Sequence, residues 1–166
     1  MSSMPVVLPH LNLQPGELYL SRDPAILRTI LGSCVGVTFW SARLGAGALC
    51  HGILPHCPTN VPASEGPRYV DYSIRYLARE FDRLGACRRD LEVKVFGGAD
   101  VIALDNPTGR PTVGAQNCAA ALAALAEEGF VVSASDLGGR TGRRIHFHTG
   151  TGRVLLHRLV MREEPC

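Results

Sequence analysis

Lysine is almost missing from this chain: Lys94 stands alone beside sixteen arginines, and charged residues are only 19% of the 166. With 17 Lys+Arg against 15 Asp+Glu, the formal net charge is +2. That balance excludes the concentrated basic footprint of an electrostatic nucleic-acid binder. No apolar run approaches the ~20 residues that cross a bilayer, so no membrane-spanning helix is expected. Met1–Gln14 has neither the charged start nor the apolar centre of a signal peptide, which predicts a cytoplasmic chain. Low-complexity stretches and fixed-period repeats are also missing. What is present is a hydrophobic fraction of 46%, enough for one core without disulfide or metal staples. Disorder and coiled coil are excluded by the same figure.

Residues 1–13, carrying Pro5 and Pro9, read as a flexible arm, 14–160 as the single domain, and 161–166 as a tail. Ile26–Trp40 is apolar and β-branched, broken at Leu31-Gly32-Ser33, which predicts two strands flanking a tight backbone feature. Arg43–Gly47 reads as a turn and Ala48–Leu54 as the next strand, stopped by Pro55. Val70, Ile74, Leu77, Phe81 and Leu84 then step by 4, 3, 4 and 3, an amphipathic helix closed by Gly85. Leu91–Phe96 alternates as a strand, and Gly114–Glu128 is an Ala-rich helix ended by Gly129. Phe130–Ser133, Arg144–His148 and Val154–Val160 read as three more strands. The order β-β-β-α-β-α-β-β-β is a mixed-sheet α/β protein and not a regular βαβ winding.

Six cysteines are the odd feature: Cys34, Cys50, Cys57, Cys87, Cys118 and Cys166. A disulfide framework belongs to small secreted chains, so free thiols are expected here. Cys34 follows two small residues, Gly32 and Ser33, which let a substrate approach and let backbone N–H groups face a developing oxyanion. His51 lies 17 residues on, across the predicted hairpin, at most about three rungs from Cys34, or ~10 Å along the strand. It shares its strand face with Leu49 and Ile53, an apolar setting for a histidine. Two readings stay open on these residues. One is a nucleophilic thiol with its base; the other is a hydrogen-bonded core histidine beside a buried cysteine. The first predicts a Cys34 more ionised, and more readily alkylated near neutral pH, than Cys87 or Cys118.

Other patterns carry less. Cys50-His51 and His56-Cys57 put four zinc-ligand types within eight residues, but neighbours on a strand point to opposite faces. His146 and His148 share one strand face and read as the polar side of a half-buried strand. The glycine pairs at Gly97-Gly98 and Gly138-Gly139 match no phosphate-binding fingerprint and read as turns or close backbone approaches. Ser33 lacks a nucleophile-elbow context.

Taken in order, several segments resemble the chemoreceptor glutamine deamidase (CheD) family of bacterial chemotaxis. They are Leu31-Gly32-Ser33-Cys34-Val35-Gly36-Val37, His51-Gly52-Ile53-Leu54-Pro55, Arg68-Tyr69-Val70-Asp71-Tyr72, Val95-Phe96-Gly97-Gly98-Ala99 and Val113-Gly114-Ala115-Gln116-Asn117. Asp136-Leu137-Gly138-Gly139-Arg140, Gly142-Arg143-Arg144 and Thr149-Gly150-Thr151-Gly152-Arg153-Val154 complete the set. The likeness runs from about Gln14 to Leu159. It implies a three-layer α/β/β sandwich with mixed sheets and conversion of receptor glutamine side chains to glutamate. It also implies a Cys-His-Thr site: Cys34 as nucleophile, His51 as base and Thr29 as the residue orienting His51, with Gly32 and Ser33 supporting. No metal or cofactor is expected. The implied partners are the cytoplasmic helices of methyl-accepting chemoreceptors, which would draw the protein to receptor arrays, and a CheC-type phosphatase of the response regulator. Two other readings compete: a non-catalytic docking module for such a phosphatase or receptor, and a cysteine hydrolase of another amide or ester.

Overall fold

The computed structural model describes residues 3–101 and 108–160. Nine strands and two helices alternate in chain order among these residues. The strands are β1 (His10–Asn12), β2 (Leu18–Ser21), β3 (Ile26–Leu31), β4 (Val35–Ser41), β5 (Ala46–Gly52), β6 (Glu92–Gly97), β7 (Val132–Leu137), β8 (Arg143–His148) and β9 (Val154–Arg158). Helix α1 (Val70–Arg83) separates β5 from β6, and α2 (Val113–Glu127) separates β6 from β7.

The strands form two mixed sheets. The first has order β1-β3-β8-β9 and the second β2-β5-β4-β6-β7. β1 runs parallel to β3, and β6 parallel to β7; the other pairings are antiparallel. Side-chain alternation in the second sheet serves two cores at once. Val35, Val37 and Phe39 of β4, with Ala46, Ala48 and Cys50 of β5, pack against the buried stripe Val70, Ile74, Leu77 and Phe81 of α1. Leu49 and Phe96 point the other way and meet Leu27, Leu31, Ile145 and Phe147 of the first sheet. Helices, second sheet and first sheet are therefore three layers, the α/β/β sandwich expected. Each fully buried aliphatic or aromatic side chain in these interfaces contributes roughly 1.5–3 kcal/mol.

The chain changes sheets at Gly32-Ser33-Cys34, between β3 and β4. This is the tight feature read from the sequence, and it places Cys34 where both sheets end. The β4–β5 hairpin pairs Val35 with Gly52 and Gly36 with His51. Extended by one rung, Cys34 faces Ile53, inside the window set by the sequence.

Several details differ from expectation, and β5, expected at Ala48–Leu54, lies two residues earlier at Ala46–Gly52. Residues 10–12, read as part of a loose arm, pair with Ile26–Arg28 as β1, and Leu13 is buried. A three-residue strand whose side chains are all exposed carries no periodicity to read. β2 is likewise too short to show a period in sequence, a four-residue edge strand. The strand expected at Phe130–Ser133 starts two residues later and runs through Ser133-Ala134-Ser135-Asp136. Phe130 instead packs edge-on against Phe39, at 5.3 Å between ring centroids. Backbone pairing with β6 overrides the weak strand propensity of those small polar residues. The expected tail at 161–166, with Cys166, lies outside the described residues.

Candidate active site

His51 sits near the end of β5, on the side facing the first sheet, with its ring only 1% exposed. Thr29 of β3 points inward from the first sheet, and its Oγ1 lies 2.6 Å from His51 Nδ1. That hydroxyl also lies 2.8 Å from the carbonyl oxygen of Leu13. A carbonyl can only accept, so the single hydroxyl proton goes to Leu13, and Thr29 accepts a hydrogen bond from Nδ1–H of His51. The chain thereby fixes the tautomer with the proton on Nδ1, and Nε2 presents a bare lone pair. Nε2 is buried and has no hydrogen-bond partner. A buried nitrogen with an unused lone pair has the chemistry of a general base.

Cys34 packs against the inter-sheet cluster, on the same side of the second sheet as His51. At ~3.3 Å per residue, the two-rung offset is ~7 Å along the strand. The thiol makes no hydrogen bond to His51 Nε2. The three peptide carbonyls around Cys34 are all occupied from beneath. Ala99 N–H donates to Gly32 O at 2.9 Å, Asn117 Nδ2 to Ser33 O at 2.9 Å, and Gly98 N–H to Cys34 O at 2.9 Å. In a trans peptide the N–H points opposite to its carbonyl, so the Ser33 and Cys34 N–H groups point away from these donors. The Gly97-Gly98 pair is what allows so close an underlay. Gly97 has φ +109°, and a Cβ there would sit 2.2 Å from Cys34 O. This is a close backbone approach, as its sequence predicted.

Asn117 was overlooked in the sequence. It is fully buried on α2, and its Nδ2 donates both to Ser33 O and to Ile53 O, each at 2.9 Å. One side chain thus ties the loop before Cys34 to the residue that follows the His51 strand. A signal existed: Asn117 shares the spacing of Ala120, Ala121 and Ala124, the buried face of α2.

Electrostatics reverse one expectation. Burial pushes the Cys34 thiol above its ordinary pKa, against a smaller lowering from a hydrogen bond to its own backbone. Burial also pushes His51 down to about 4, opposed by the negative charge of Glu17. Both directions favour a neutral thiol and a neutral imidazole at rest, against the ionised Cys34 that the nucleophile reading expects.

The buried histidine has a consequence for stability. Between pH 6.5 and about 4, the unfolded chain binds a proton at His51 that the folded chain refuses. The contribution is present above pH 6.5 and is lost as pH falls through that window, by about 3 kcal/mol at most. Urea unfolding at pH 7 and pH 4.5 measures it. The wild type should lose more stability than His51→Gln across that interval, and equal losses would refute the buried neutral ring.

The remaining candidates take plainer roles. Cys50 faces the helices, 1% exposed, with its thiol pushed up to about 12 by burial, an inert packing group. Its neighbour His51 points to the other face, so the two do not converge on an ion. His56 Nδ1 lies 3.4 Å from Asp71 Oδ2. Cys34, Cys50, Cys57, Cys87 and Cys118 are free thiols. Among the described residues, no three His, Cys, Asp or Glu side chains gather as a metal site. His146 faces outward from the first sheet, beside Arg28.

The family model described as CheD chemotactic sensory transduction matches residues 53–158. This chain belongs to the CheD family. A Geobacter sulfurreducens relative named "Probable chemoreceptor glutamine deamidase CheD 2" is 43% identical over 92% of this chain and 91% of its own. Relatives named "Probable chemoreceptor glutamine deamidase CheD" include one from Maridesulfovibrio salexigens, 37% identical over 89% of this chain and 90% of that one. Another, from Nitratidesulfovibrio vulgaris, is 38% identical over 98% and 83%. Among solved structures, the chain is similar to the Bacillus licheniformis hypothetical protein YfiH, with TM-score 0.49 and 10% identity, over 72% of this chain and 50% of that one. Among the described residues no helix is long and apolar enough to cross a membrane.

Proposed function

We propose that this protein hydrolyses the side-chain amide of glutamines in chemoreceptors, with Cys34 as nucleophile, His51 as general base and acid, and Thr29 orienting His51. The observation that supports it most directly is the His51 tautomer: Thr29 and Leu13 consume the Nδ1 side, leaving Nε2 bare and buried on the face shared with Cys34.

The reaction follows from that arrangement. Nε2 takes the Cys34 proton as sulfur attacks the glutamine Cδ, and the carbonyl oxygen becomes an oxyanion. The Ser33 and Cys34 N–H groups stabilise that charge, Gly32 giving the approach room. Imidazolium then returns its proton to the amide nitrogen, and ammonia leaves a thioester on Cys34. Water attacks the thioester carbonyl while Nε2 accepts its proton. The thiol departs with that proton, and glutamate is released. The Nδ1–H···Oγ1 bond to Thr29 stabilises the transient imidazolium and keeps the ring from turning. A thiol raised in pKa and a base lowered in pKa give little reaction with solvent or stray electrophiles until an amide is seated between them.

On the family resemblance alone, we include a CheC-type phosphatase among the partners and place the protein at receptor arrays through its substrate. The test of the function is incubation with a purified chemoreceptor cytoplasmic fragment, followed by peptide mass spectrometry. Specific glutamines should each gain about 1 Da. A fragment that keeps all its glutamines would refute the reading.

A further inference from the structure

The outer face of the first sheet carries a cluster of basic side chains beside a groove without acidic lining. β3 alternates, so Thr29 points inward to His51 while Arg28 and Ile30 point outward. Registry places Arg28 opposite His146 and Ile30 opposite Arg144, with Arg144 opposite His157 on β9. A groove of about 570 Å³ runs along this face and reaches Thr29 and His51. Arg28, Arg144 and His146 line it, and none of its lining residues is acidic.

Several arginines outside this face are matched to acids, and others, such as Arg22 and Arg79, are not. Arg43 meets Asp90, Arg75 meets Asp71 and Glu127, Arg88 meets Asp82 and Glu128, and Arg143 and Arg158 share Asp136. Among the described residues, Arg28 and Arg144 make no ion pair. Arg28 Nε is in addition buried with no hydrogen-bond partner. Two unpaired guanidinium groups, one with a desolvated donor, flank a groove that ends at the proposed base. His146 feels the resulting positive field: after burial, Arg28, His157, Arg144 and His10 all lower its pKa.

We infer that this groove is a subsite for carboxylate side chains on the substrate segment, held by Arg28 and Arg144 while a nearby glutamine is delivered to Cys34. The inference deepens the deamidase reading and rests on it. A guanidinium fork matches a carboxylate in two parallel hydrogen bonds, and an unpaired Nε–H is one half of such a fork. The basic area is one groove wide in a chain of net charge +2, too local for a nucleic-acid footprint. Deamidation itself makes carboxylates. A receptor segment with several target glutamines would therefore bind better after its first conversion, and native glutamates near a target would act in the same way.

The test compares two receptor fragments, one with its native acidic residues around the target glutamine and one with those residues changed to alanine. Each is assayed with wild type, Arg144→Gln and Arg28→Gln. Binding of the same fragments, fluorescently labelled, is measured in parallel by anisotropy. The wild type should show a KM and a Kd roughly tenfold lower for the acidic fragment, with kcat within about twofold. Both variants should lose that preference while retaining kcat on the alanine fragment. Equal KM and Kd for the two fragments with wild type, or a preference that survives both substitutions, overturns the subsite. Charge-dependent binding that needs Arg28 and Arg144, without any turnover, supports the subsite and refutes the deamidase reading instead.

Discussion

Cys34→Ala should lower kcat/KM for receptor deamidation by at least about 10⁴-fold, because it removes the sulfur proposed to attack the amide. His51→Ala should cost about 10³-fold or more, since the thiol is then neutral and has no base to ionise it during attack. His51→Ala also removes a buried ring hydrogen-bonded to Thr29, so loss of the base must be separated from loss of the fold. Circular dichroism and thermal unfolding check that point alongside the assay. A Cys34→Ala protein that retained even a few per cent of wild-type turnover would place the chemistry elsewhere.

Arg143→Ala carries the second large effect, this time on stability. The Arg143 guanidinium is 2% exposed and satisfied on every side. Nε donates to Asp136 Oδ1 at 2.7 Å, and Nη2 donates to Gly138 O at 2.8 Å. Nη1 reaches Gly97 O at 3.3 Å and Thr141 O at 3.4 Å. Removing it strips donors from buried carbonyls and leaves a cavity the size of a long side chain, a loss of about 3–5 kcal/mol. Arg158 shares Asp136 at 2.6 Å but is 60% exposed, so Arg158→Ala should cost no more than about 1 kcal/mol. Urea denaturation of the two variants gives the contrast, and equal losses would contradict a buried clamp. Activity should fall with Arg143→Ala too. Gly97 O is a carbonyl that Arg143 holds, and the Gly98 N–H of that same peptide donates to Cys34 O.

The helix stripe from Val70 to Leu84 and the β4–β5 hairpin were legible because each repeats its period over several residues. That hairpin alone put Cys34 within three rungs of His51, and the register lies inside that window. The partition into two sheets was not legible. Alternation tells which face a side chain takes, but not that the chain leaves one sheet at Leu31 and joins another at Val35. The meeting of Thr29 with His51 depends on that switch, so only family resemblance pointed to Thr29 before the fold was known. Arg143 and Asn117 left readable traces. Arg143 shares the alternation of Ile145 and Phe147, a charge at a core-facing position, and Asn117 shares the stripe of the α2 alanines. A polar residue on an apolar stripe announces buried hydrogen bonding, though not which groups it serves. The groove residues Arg28 and Arg144 are unremarkable in sequence, since their unpaired state is a property of the assembled sheet.

If Cys34 attacks the amide, it forms a thioester whose mass can be measured. Wild-type protein mixed with a receptor fragment, quenched in acid within the first turnover and measured intact, should contain a species of protein plus fragment minus ~17 Da, the ammonia lost on acylation. Peptide mapping should place the link on Cys34, and Cys34→Ala should give no such species. Deamidated fragment accumulating from wild type with no adduct under rapid quench, or an adduct mapped to another cysteine, would exclude Cys34 as the nucleophile.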